Sequence, residues 1–229
     1  MSDVTDPADQ LFAAYSTTRA RMTLIAESLS PADLCLTVPA CPLWTVFDLI
    51  AHVVSMPAAI GNGESPPGTL TDWLQILVEA RRGQSVGDLT QEWLSLDGSI
   101  SAILNGPGGV LYGDLAVHEH DLRGAVDAPD HDALEVDVML PRTLAGFATP
   151  LRRAGLGSSA VRHDDRIWRS HDTEPGWMLH VTPWEATRAV NSRRTADELR
   201  ELPHDGDIEP YLAILDAHLP LPSTSLEES

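Results

Sequence analysis

The chain contains no lysine; all 15 of its basic side chains are arginines, spread over 229 residues. Schiff-base chemistry, pyridoxal phosphate enzymes and the P-loop each need a lysine amine at the reacting centre, so all three are excluded. Long apolar runs are also missing. None approaches the roughly 20 residues that a bilayer-spanning helix requires. Cysteine is limited to Cys35 and Cys41, too few for a disulfide framework, and the opening Met1-Ser2-Asp3 has neither the basic start nor the apolar stretch of a secretory signal. A reduced, cytoplasmic chain is therefore expected. Positive charge is scarce as well. With 34 acidic residues the formal charge is -19, which disfavours nucleic acid and anionic membrane as partners, because both bind through basic patches.

What is present is a globular composition, 43% hydrophobic, long enough for one or two domains with a real core. From Asp6 to about Leu29, Leu11, Tyr15, Met22, Ile25 and Leu29 recur at helical spacing, with Thr18 filling the gap. After a loop carrying Pro31, Pro39 and Pro42, Thr45 is placed as an N-cap with Asp48 three residues on, opening a helix from Val46 to about Ala58. Helical segments follow over 69–82, 85–104, 110–126 and 134–154, with Gly106 to Gly109 as a break and Pro141 as a kink or restart. Beyond Gly155 the character changes. Short, partly alternating segments over 159–162, 166–170 and 177–182 read as strands, followed by helices over 183–190 and 195–202. The expected class is α+β, mainly α, with a helical unit over 1–154 and a small α+β unit over 155–229.

The chemistry concentrates in the stretch Leu111 to Arg123. On a helix, Leu111, Leu115, Leu122 and Ala125 form one stripe with His118 at its centre and Asp114 and Asp121 at its edge, while His120 points the opposite way. Burying ionisable groups on such a stripe is costly unless they pair or hold an ion. Asp114 and His118 lie one turn apart and can share a ligand. His52 is a third candidate, although its own helical wheel sets it opposite the stripe of Val46, Leu49, Ile50, Val53 and Val54, as a surface histidine. Spacing alone favours a core Asp-His pair and an exposed histidine over a shared ligand set. Cys35 and Cys41 have no neighbouring histidine in sequence, which argues against a Cys-His nucleophile, and a redox or ligand role for Cys41 is a minor alternative. Trp44 reads as a packing anchor. The remaining histidines, His131, His163, His171, His180, His204 and His218, show no ligand spacing.

Several segments taken together resemble a known family. VPACPLWTVFDLIAH, Val38 to His52, looks like the opening of the second helix in the mycothiol-dependent maleylpyruvate isomerase family, a branch of the DinB-like metalloproteins. GDLAVHEHDLR, Gly113 to Arg123, is similar to that family's later ligand helix, and TPWEATRAVNSRRT, Thr182 to Thr195, with DGDIEPY, Asp205 to Tyr211, looks like its closing segment. The resemblance implies a DinB-like four-helix bundle followed by a small α+β domain. It implies a divalent metal, with zinc the expected ion, held by His52, Asp114 and His118. Leu43 stands where the family commonly has glycine, and Asp114 stands where the isomerase has glutamate. Three N and O ligands leave coordination positions open, the pattern of a catalytic centre. The resemblance implies mycothiol as the thiol cofactor and a small electrophile as the partner substrate. An isomerase would add the thiolate, rotate about the new single bond and eliminate, whereas an S-transferase would stop after addition. Asp121 is expected to orient a ligand histidine or else to pair with Arg123. Arg193 and Arg194 are expected either to bind carboxylates or to form a solvated helix end. The alternative to an enzyme is a non-catalytic metal-binding protein with a binding or regulatory role.

Overall fold

The computed structural model describes residues 7–105, 110–128 and 136–226; the break at Gly106 to Gly109 and His131 lie outside them. The described residues up to 128 form one compact unit and those from 136 onward a second. The class is α+β, mainly α. No helix among the described residues is long and apolar enough to cross a membrane.

The first unit begins with helix α1 (Pro7–Ser28), a 3-10 turn (Asp33–Cys35) and a short antiparallel hairpin, β1 (Thr37–Val38) and β2 (Cys41–Thr45). Helices α2 (Val46–Gly61), α3 (Leu70–Glu79), α4 (Val86–Ser95), α5 (Asp97–Asn105) and α6 (Val110–Ala125) follow. On α1 the buried stripe is Leu11, Tyr15, Thr18, Met22 and Ala26, close to the expected one, although it ends on Ala26 rather than on Ile25 and Leu29. α2 is the hub, packed against the hairpin, α3, α4, α5 and α6. Gly61 sits at its end against Ser99 of α5, where a Cβ would come within 2.8 Å of the serine Cβ, so the close approach of the two helices requires glycine there.

The expected helix over 85–104 is two helices, α4 and α5, broken at Leu96, with Asp97-Gly98 following in the first turn of α5. The loop after α1 contains the hairpin, which is too short and too proline-rich to show alternation. Thr45 and Asp48 do form a capping box: the Thr45 hydroxyl accepts from the Asp48 N–H, and the Asp48 carboxylate accepts from the Thr45 N–H. The same device starts α4 at Ser85 and Asp88.

The second unit contains α7 (Val136–Arg153), β3 (Ser158–His163), β4 (Arg166–Arg169), β5 (Pro175–His180), α8 (Pro183–Val190), α9 (Ala196–Glu201), β6 (His204–Gly206) and α10 (Glu209–His218). Its sheet has the order β4-β3-β5-β6, with β3 and β5 parallel and the outer pairs antiparallel. The core joins Leu140, Leu144 and Phe147 of α7 to Val161, Trp177 and Leu179 of the sheet. The change of composition at Gly155 groups α7 with the helices before it, but α7 packs on α8, β3 and β4. An amphipathic stripe records that a helix buries one face and not which core receives it. α7 also continues through Pro141 and Pro150 instead of restarting. β6 and α10 have no counterpart in the expected elements.

Charge is buried in the first unit, and it is paired. Glu119 of α6 is fully buried and accepts from Arg21 of α1 through Nε and Nη2, both at 2.7 Å, and from Arg123 one turn along α6. Removing one member of such a group strands the others away from water. Glu119→Gln is expected to lower unfolding stability by about 3–5 kcal/mol, read as a shift in the urea midpoint at unchanged slope. A shift too small to resolve would show that water reaches the two guanidinium groups.

Candidate metal centre

α2 and α6 bring three candidate ligands together. The capping box fixes the start of α2, and His52 lies two turns along it. α6 presents Asp114, His118 and Asp121 on one side. The Asp114 carboxylate lies between the two imidazoles, with Oδ2 at 3.3 Å from His52 Nε2 and Oδ1 at 3.5 Å from His118 Nε2. Ligand atoms of His52, Asp114 and His118 all fall within 4.8 Å of one another. The His52 and His118 rings meet edge to face, with centroids 4.8 Å apart.

His52 corrects the wheel-based expectation of a surface histidine, since it is 1% exposed. The reason is that α2 is buried on nearly every face, including Asp48, Ala51, His52 and Ser55, so no polar side exists for the wheel to find. Among the described residues neither ring nitrogen of His52 has a well-formed hydrogen bond, and both are buried. A buried imidazole whose Nε2 has only the 3.3 Å contact to Asp114 among the described residues is costly, and an ion at Nε2 would satisfy it. The Trp44 ring covers His52 at 4.7 Å and donates its Nε1–H to Gln75 of α3, so the packing anchor is also part of the wall of the site.

Asp121 accepts from His118 Nδ1 at 2.9 Å, while Arg123 binds Glu119. That hydrogen bond fixes the His118 ring and points Nε2 toward Asp114. His120, also buried, is not among the residues brought together. Sequence reasoning gives Cys41 only a minor ligand role and no partner. Its thiol reaches the Asp121 carboxylate from 80 positions away in the chain, and it does have a histidine neighbour, His118, in space. No local spacing carries that signal.

Arg193 and Arg194 belong to the second unit. Arg194 forks onto Glu185 with Nε and Nη2 at 2.7 and 2.8 Å, and Arg193 donates to the Asn191 carbonyl. His180 pairs with Asp205, and His204 bonds the Leu202 carbonyl, so these two histidines are engaged within the small unit.

The electrostatics polarise the cluster. Burial pushes the His52 pKa down despite the neighbouring Asp114, which leaves a neutral imidazole with a lone pair to offer. At His118 burial also opposes charge, but Asp114 and Asp121 outweigh it and raise its pKa well above the ordinary value. Burial would raise the Asp114 carboxyl, yet the two imidazoles hold it below the usual carboxylate range. The residues fit a divalent ion: two imidazole nitrogens, one of them from the buried His52, and one carboxylate form a donor set for zinc or a similar cation.

No family model and no curated protein matches the chain. Two solved structures are similar to it. One is the crystal structure of the mycothiol-dependent maleylpyruvate isomerase, at 11% identity and TM-score 0.48, and the other is a histidine-to-alanine mutant of that enzyme, at 10% identity and TM-score 0.48. Each match covers 82% of this chain and 90% of the other. At that distance the site rests on its own geometry.

Because the His118 pKa is raised, the metal-free centre carries a proton that an ion must displace from Nε2. Zinc affinity at this set is therefore expected to rise with pH, about tenfold per unit while pH stays below the His118 pKa, with about one proton released by the ion that binds there. Calorimetry in buffers of different ionisation heat measures both. Affinity independent of pH, with no proton release, would contradict the assignment of His118 as a ligand.

Proposed function

We propose that the chain is a metal-dependent, mycothiol-dependent enzyme of the isomerase or S-transferase type, acting on a small electrophilic substrate. The observation that carries this reading is the convergence of His52 from one helix with Asp114 and His118 from another, as a two-nitrogen, one-carboxylate set. Three protein ligands leave coordination open, as catalytic zinc centres do and structural ones do not. The Asp114 side chain is 26% exposed, so the cluster has a solvent-facing side. The thiol cofactor comes from the sequence resemblance, in the VPACPLWTVFDLIAH and GDLAVHEHDLR segments.

When bound, the ion and the thiol would supply a thiolate nucleophile at neutral pH, for addition to an activated double bond. The chain's own residues prepare the place for it. His52 and His118 present Nε2, and Asp114 offsets part of the cation's charge. Asp121 accepts the Nδ1–H of His118 and so holds it in the tautomer whose Nε2 can ligate. Trp44 excludes water from one side of His52. No step is assigned to Arg193 or Arg194, since Arg194 is already forked onto Glu185.

Titration of the zinc-loaded protein with mycothiol tests the proposal. Saturable binding is expected, with a rise in ultraviolet thiolate absorbance, and it should vanish in the metal-free protein. Product analysis then separates the two enzyme types, since an isomerase returns the free thiol and an S-transferase leaves it on the product. Zinc bound without any thiol binding would overturn the enzyme reading in favour of a metal-binding role.

A further inference from the structure

The two ring nitrogens of His118 face different surroundings. Nε2 faces Asp114 on the side of His52, whereas Nδ1 lies 2.9 Å from Oδ2 of Asp121. Cys41, the first residue of β2, donates its thiol to that same Oδ2 at 3.8 Å. One ligand atom from each of Cys41, His118 and Asp121 lies within 4.8 Å of the other two. Asp121 is fully buried, His118 is 9% exposed at its side chain, and Cys41 is half-buried.

We infer that Cys41, His118 and Asp121 form a second cation site, for a soft, thiophilic ion, joined to the first through the imidazole ring of His118. A tetrahedral ion with sulfur at about 2.3 Å and nitrogen or oxygen at about 2.0–2.2 Å holds its ligand atoms roughly 3.3–3.6 Å apart. The observed separations, 3.8 Å from sulfur to oxygen and 2.9 Å from nitrogen to oxygen, bracket that range. Side-chain adjustments of about half an ångström close the difference. Binding forms bonds from the ion to Sγ, Nδ1 and a carboxylate oxygen, and it releases the thiol proton and the Nδ1 proton to solvent. Sulfur in the set selects zinc, cadmium or copper(I) over magnesium and manganese, a choice the His52 set makes less sharply. The second site would fill after the first, because it must give up the hydrogen bond between His118 and Asp121. It shares His118 with the proposed centre and needs neither the thiol cofactor nor catalysis.

Cobalt(II) titration of the reduced, metal-free protein reads the second site directly, because a cysteine ligand adds a near-ultraviolet thiolate-to-cobalt charge-transfer band. The band is expected in the wild type, in Cys35→Ser and in His52→Ala, and it should disappear in Cys41→Ser at an unchanged circular dichroism spectrum. Elemental analysis at saturation should find two ions per chain in the wild type and one in Cys41→Ser. Absence of the band from the wild type, or its survival in Cys41→Ser, would overturn the inference. Loss of the first site alone, with the band retained in His52→Ala, separates this site from the proposed enzyme centre.

Discussion

The first unit is organised by one constraint, which is that the ionisable side chains of α6 are packed inside a helical core and each must be met there. His118, Glu119, His120, Asp121 and Arg123 are all buried within a single stretch of helix. A buried charge without a partner costs several kcal/mol, so the surrounding elements have to supply the partners. Arg21 on α1 meets Glu119, and His52 on α2 meets Asp114. The packing of α1 and α2 on α6 is therefore a matter of electrostatic matching as well as apolar contact. Around this polar seam the core is dense, with Tyr15, Leu49, Leu89, Trp93 and Ile100 almost fully enclosed.

The two polar clusters of α6 are resolved differently, and that difference is what makes one of them a candidate site. Glu119 is closed on itself by two arginines, with its carboxylate oxygens engaged by guanidinium hydrogen bonds. The cluster at Asp114 is looser, with contacts of 3.3 and 3.5 Å and a buried His52 that has no well-formed hydrogen bond among the described residues. An arginine fork is complete as it stands. Of the two imidazoles around Asp114, the neutral His52 has a lone pair to give, and His118 gives one on losing its Nε2 proton. Asp121 then separates the two faces of His118, orienting one nitrogen toward His52 and standing beside Cys41 at the other.

Much of this could be read from the sequence where a signal is local. The α1 stripe, the Thr45 and Asp48 cap, and the spacing of Asp114, His118 and Asp121 on one helix are all consequences of helical periodicity. The strands β3, β4 and β5 and the helix α8 were legible from alternation and from Pro183 at a helix start. What escaped depends on partners distant in sequence. The burial of His52 is invisible to a wheel because α2 is covered all round, and the wheel assumes a wet face. Cys41 meets Asp121 only because the hairpin folds over α6. The placement of α7 follows from which core its apolar stripe joins, and Gly98, two residues past the break at Leu96, is a weak signal because an isolated glycine is tolerated within a helix.

The central claim is that His52, Asp114 and His118 hold a divalent ion as one unit. Zinc content by elemental mass spectrometry tests it most directly in a Cys41→Ser background, which removes the sulfur-bearing group and leaves the His52 group as the ligand set under test. The account predicts one zinc per chain after reconstitution when His52 is present, and its loss when His52→Ala is added at an unchanged helical spectrum. Zinc retained without His52, or none bound with it, would contradict the account.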